Sequence, residues 1–142
     1  MTTHLERLLC GLIEPGVYGY RSRASIASIA WRARITGWRF FHLDGQRIES
    51  KAGLLAACRE AMRFPATFGH NWDALEDSLR DLSWAPARCG YLLLYDGAGR
   101  LAAAAPEDFA VAVDIFRSAA AYWRESDTPL AVLLRGLKAP LA

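Results

Sequence analysis

Three cysteines, Cys10, Cys58 and Cys89, are all that a chain of 142 residues carries, and they show neither CxxC nor Cys/His spacing. An odd, scattered set excludes a disulfide framework and argues against a zinc site. It points to a reducing compartment, with Cys58 serving as a small core side chain in a helix. No apolar run approaches the roughly 18–20 residues that a membrane-spanning helix needs. Residues 1–7 lack the basic start and apolar block of a signal peptide, so the expected location is the cytoplasm. Also missing are a phosphate-cradling glycine loop, HExxH and GxSxG motifs, repeats, low-complexity tracts and linkers, which removes the common signatures of catalysis.

What is present suits one domain with a real core, since 53% of the residues are hydrophobic and 23% charged. The net charge of +2 is unevenly spread. Residues 1–47 hold seven bases (Arg7, Arg21, Arg23, Arg32, Arg34, Arg39, Arg47) against three acids, a balance of +4, and the remainder balances to −2.

Thr3 and Glu6 fit a capping box ahead of Leu5, Leu8, Leu9 and Leu12, so a short first helix is expected. Residues 16–20 read as a strand or a loop. Ser22 or Ser25 can cap a second helix that Gly37 ends. Trp38 to Asp44 is short, aromatic and followed by a turn dipeptide, the pattern of a strand. His42 within it reads as a structural side chain. Ser50 caps a helix to about Arg63 with Leu54, Leu55, Cys58, Ala61 and Met62 inward, and Phe64-Pro65 stops it. Gly90 to Asp96 reads as a strand covered on both faces. Arg100 to Ala104 reads as a helical turn, and Pro106 opens a helix to about Glu125. Leu130 to Leu134 is the last strand, followed by a loose tail after Gly136. Strands separated by long crossovers imply parallel pairing with helices on the sheet.

The most informative stretch runs from Phe64 to Leu82. A loop marked by Pro65 and Gly69 leads to Asn71, a good helix cap. Trp72, Leu75, Leu79 and Leu82 then form one apolar stripe, while Asp73 and Asp77 share another face. Asp73 gains from the helix dipole in the first turn, but Asp77 lies a turn further in and the like-charged pair costs roughly 0.2–0.5 kcal/mol. From Asp73 to Leu82 four acids face one base, Arg80. The cluster reads either as a solvated face or as an acidic docking surface for a cationic site.

The run Phe68-Gly69-x-Asn71-x-Asp73-Ala74-Leu75-x-Asp77-x-Leu79 resembles the signature of the barstar family, intracellular inhibitors of barnase-type ribonucleases. The resemblance covers roughly residues 41–135, with Gly45, Ile48 and Leu54 ahead of the motif and Phe116 and Arg117 behind it. It implies an α/β fold, barstar-like, with a small parallel sheet of three strands packed with helices, plus an N-terminal helical extension. The expected division is residues 1–36 as that extension, 37–136 as the barstar-like domain and 137–142 as a tail.

By the same resemblance, Asp77 matches the carboxylate that enters the nuclease active site, Asp73 a second contact, and Asn71 and Gly69 contacts at the helix start. A nuclease must hold phosphate with cationic donors, and carboxylates on a rigid helix can imitate that phosphate. The expected partner-binding surface comprises Thr67, Gly69, Asn71, Asp73, Glu76, Asp77, Arg80 and Trp84. The implied partner is a secreted or toxin-type basic ribonuclease, with no cofactor, metal, catalytic residue or membrane involved. Each residue also has a bland counterpart: Asn71 as a cap alone, Gly69 as a turn residue needing positive φ, Phe68 and Trp72 as core.

The family pattern is broken at its rim. Thr67 stands where the family prototype has a tyrosine, Glu76 where it has a tryptophan, and Ser118 where it has a glutamate. The tryptophan after its helix aligns with Leu82, or with Trp84 if two residues are inserted. The prototype is also strongly acidic, unlike this chain. Such changes alter partner choice while leaving the central aspartates. The alternative reading is a nucleic-acid-binding or regulatory protein using the basic N-terminal region, Arg32 and Arg34 above all.

Overall fold

The computed structural model describes residues 3–141. In chain order the elements are α1 (His4–Leu9), β1 (Val17–Tyr20), α2 (Ile26–Ile35), β2 (Trp38–Asp44), α3 (Lys51–Met62), α4 (Trp72–Asp81), β3 (Gly90–Asp96), α5 (Gly99–Ala104), α6 (Pro106–Trp123) and β4 (Leu130–Arg135). Local chemistry sets most of the boundaries. The Thr3 hydroxyl accepts from the Glu6 amide while the Glu6 carboxylate accepts from the Thr3 amide. Ser25 rather than Ser22 caps α2, and Ser50 caps α3, each accepting from the amide three residues on. Gly37 ends α2 with φ 83°, and a side chain there would also strike the Cys89 sulfur at 2.8 Å.

The four strands form one parallel sheet in the order β1-β4-β3-β2. This corrects the expectation of three strands. Val17–Tyr20, left open between strand and loop, pairs along β4 in the register Val17 to Val132 through Tyr20 to Arg135. The N-terminal extension thus supplies an edge strand as well as helices.

Successive strand residues point to opposite faces, and here both faces are covered. Phe41 and Leu43 of β2, Tyr91, Leu93 and Tyr95 of β3, and Leu130, Val132 and Leu134 of β4 join the larger core with α3, α4, α5 and α6. Trp38, Leu92, Leu94, Ala131 and Leu133 face the other way, against Leu5, Leu8 and Leu9 of α1 and Ile29 and Ala33 of α2. The extension therefore adds a complete helical layer. Trp38 ties it down by donating from its indole to the Leu9 carbonyl at 3.2 Å.

Cys58 is buried in the larger core, and desolvation pushes its thiol pKa up to about 12. In the tail after Gly136, expected to be loose, Leu137 and Leu141 rest against the larger core while residues 138–140 are exposed. His42 is half-buried, and its Nε2 is enclosed without a hydrogen-bond partner among the described residues.

Candidate functional site

The loop before α4 is built around aromatic rings. Phe64 and Phe68 are buried with ring centroids 5.0 Å apart, and the Phe68 amide closes a turn onto the Pro65 carbonyl at 2.9 Å. Inward anchoring of these two rings leaves Thr67, Gly69 and His70 exposed between them and the helix. Gly69 is not in the left-handed region, and an added Cβ would touch nothing closer than the Asn71 amide nitrogen at 3.4 Å. The turn-geometry reason for a glycine therefore does not apply at this position.

Asn71 caps α4, its side-chain oxygen accepting from the Ala74 amide at 2.8 Å. Leu75, Leu79 and Leu82 are buried, and Trp72 is half-buried beneath the Lys51 ammonium. The far end of the helix is held just as firmly. Trp123 donates to the Leu79 carbonyl at 2.6 Å, Tyr91 to the Leu82 carbonyl at 3.5 Å, and Leu82 closes the helix with φ 50°. Carbonyls that a helix end normally leaves to water are thus satisfied by side chains of α6 and β3.

On this frame Asp73 and Asp77 are exposed, and among the described residues neither is in an ion pair. Glu76 is paired with Arg80 at 3.7 Å. The cluster thus keeps three uncompensated carboxylates, Asp73, Asp77 and Asp81, on a helix clamped at both ends.

The family model for Barstar, described as barnase inhibitor, matches residues 38–135. That is more than half of the chain. The chain belongs to the barstar family. No curated protein matches it as a relative. The match begins at the first residue of β2 and ends at the last of β4, so α1, β1 and α2 lie outside the barstar region.

Around the barstar helix the remaining expected contacts fall into two groups. Thr67, Gly69, Asn71, Asp73 and Asp77 are exposed along the loop and helix. Arg80 and Trp84 are engaged within the protein. Arg80 donates to the Ser118 hydroxyl at 2.7 Å and lies over the Tyr122 ring at 5.5 Å. Trp84 is half-buried, donating to the Met62 carbonyl at 2.8 Å and meeting Phe64 edge-on. Sequence reasoning missed Tyr122, which is 52% exposed and continues the surface from α4 onto α6. Its signal was available, an aromatic residue one turn after Ser118 on the polar side of an amphipathic helix.

The arginines of the basic N-terminal region, by contrast, divide between separate places on the surface. Arg32 is ion-paired with Glu6, and Arg34 lines a cavity with Arg39 and Arg88. Arg21 and Arg23 line a different one. Among the described residues no cluster of three His, Cys, Asp or Glu side chains suits a metal ion, and no helix is long and apolar enough to cross a membrane.

Proposed function

We propose that the chain is an intracellular protein inhibitor of a basic ribonuclease, and that it acts by placing α4 and the loop before it over the enzyme's active site. One observation carries this reading: Asp73 and Asp77 are exposed, without an ion pair among the described residues, on a helix clamped at both ends. Membership of the barstar family supports it from an independent side. A carboxylate held in this way meets arginine donors with little ordering cost, and such charge-assisted bonds can be bidentate.

Asp77 is the inserting group and Asp73 its companion. Gly69 allows a partner close to the backbone, since its conformation asks for no glycine. Thr67, Glu76 and the Arg80-Ser118-Tyr122 cluster form the rim, and this rim selects the cognate enzyme. The chain itself performs no chemistry in this account, and its cytoplasmic placement protects the producing cell from its own nuclease.

The experiment is a titration of a barnase-type ribonuclease with the full chain, read as residual RNA cleavage and as stoichiometry. One-to-one inhibition is expected. Asp77→Ala should weaken it by about 3–5 kcal/mol, because arginines of the enzyme would be left buried without their partner. Asp81→Ala, on the same helix near its end, should change it little. Inhibition indifferent to Asp77→Ala would remove the assignment of the inserting residue, and no complex with any ribonuclease of this class would remove the function.

A further inference from the structure

In open α/β sheets, ligand sites form beyond the carboxyl ends of neighbouring strands whose following segments leave to opposite faces. Strands β1 and β4 make such a junction. After Tyr20 the chain turns toward Ala24 and Ile26, which pack in the layer of α1 and α2. Beyond Arg135 it turns the other way, where Leu137 and Leu141 rest on the larger core. Between the two departing segments lies a cavity of about 800 Å3, lined on one side by Arg21, Ser22 and Arg23 and on the other by Leu137, Pro140 and Leu141. Its size is that of a small-molecule site.

Among the described residues no acidic side chain lines the cavity. Arg21 and Arg23 are exposed, and among the described residues neither is in an ion pair. The loop that carries them is nevertheless fixed. Arg135 binds Asp96 through two parallel bonds of 2.9 and 3.1 Å, and its remaining nitrogen donates to the carbonyls of Ser22 at 3.2 Å and Ala24 at 2.6 Å. Those carbonyls flank Arg23. One guanidinium is therefore spent on shaping the loop, while two line the opening without an ion pair among the described residues.

We propose that this crevice binds a nucleoside monophosphate, with Arg21 and Arg23 on the phosphate and the apolar tail segment against the base. Arginine forks match phosphate oxygens, and the opposite wall offers an apolar surface for a flat ring. The site shares no residue with the α4 surface, so its failure would leave the inhibitor reading untouched.

Calorimetric titration of the full chain with each of the four nucleoside 5′-monophosphates, with the free nucleosides and with inorganic phosphate tests the assignment. At least one monophosphate should bind better than both its nucleoside and phosphate. Arg21→Ala/Arg23→Ala should weaken that binding roughly tenfold or more. The same charge removed elsewhere, in Arg34→Ala/Arg39→Ala, should leave it unchanged. All substituted side chains are exposed, and circular dichroism checks that each variant is folded. The proposal is overturned if no monophosphate binds up to millimolar concentration, if phosphate or nucleoside alone binds equally well, or if both double variants weaken binding alike.

Discussion

The acidic helix and the strand-end crevice are opposite in charge and alike in construction. In each, a polar group is consumed inside the protein to fix the backbone: Asn71, Trp123 and Tyr91 at α4, Arg135 and Asp96 at the crevice. In each, other charged groups, Asp73 and Asp77 or Arg21 and Arg23, stay exposed without a counter-ion among the described residues. Some charges elsewhere on the surface are paired, as in Glu6 with Arg32, Glu49 with Arg100 and Glu14 with Arg124. Exposed pairs add little to stability. What distinguishes the two regions is the separation of the groups that hold the frame from those left over for binding.

That separation can be broken from either side. The largest effect is expected from removing residues 1–36, which uncovers Trp38, Leu92, Leu94, Ala131 and Leu133 and takes the edge strand and one crevice wall with it. Each buried apolar side chain of this kind is worth about 1.5–3 kcal/mol, and several together exceed the margin of a small domain, typically about 5–15 kcal/mol. A chain beginning at Gly37 should show no cooperative thermal transition by circular dichroism. A sharp melt would mean that the barstar region stands alone.

Next is the frame of the acidic helix. Leu79 is fully buried, and Leu79→Ala should cost about 2–5 kcal/mol in urea unfolding while leaving every carboxylate in place. A loss well under that range would show that α4 is not clamped as described.

The crevice frame should yield less. Asp96→Asn leaves Arg135 with a weaker acceptor at a partly exposed pair, for an expected loss of about 1–2 kcal/mol near neutral pH. The Arg135 hydrogen bond is the main cause holding the Asp96 pKa below its ordinary 3.8. A depressed folded pKa gives stability that is present above the unfolded value and lost as pH falls through the folded one. The parent should therefore lose this increment as the pH drops below about 4, and the parent and Asp96→Asn curves should converge there. Parallel curves would show that the pair does not couple to folding.

Smallest of all is the effect of Asp77→Ala on stability. It removes the repulsion with Asp73 one turn away, so the change should lie within about 0.5 kcal/mol and lean toward stabilisation. A large destabilisation would mean that Asp77 belongs to the frame after all, and its role in binding would then need rereading.

Much of the local structure was legible in the sequence. The Thr3–Glu6 capping box, the Asn71 cap, the bounds of β2 and β3 and the inward stripe Leu75, Leu79 and Leu82 all follow from patterns spanning a few residues. A short stretch stays undecided in sequence where the pattern is weak. Val17–Tyr20 has only four residues, includes an exposed glycine, and becomes a strand through pairing with β4 at the other end of the chain. The internal partners of Arg80 and Trp84 were not legible, because nothing nearby in sequence reveals Ser118, Tyr122 or the Met62 carbonyl.

By itself the amino-acid order determined which segments are helical, which residues of α4 turn inward and which carboxylates remain outside, since capping and periodicity act over one or two turns. Only the tertiary structure decided that the extension completes the sheet and covers its second face, that Arg32 and Arg80 find partners on other helices, and that Arg21 and Arg23 stand at a junction between diverging strands. Those outcomes depend on contacts between residues far apart along the chain, where the free energy of many packed side chains, rather than any local preference, selects the neighbours.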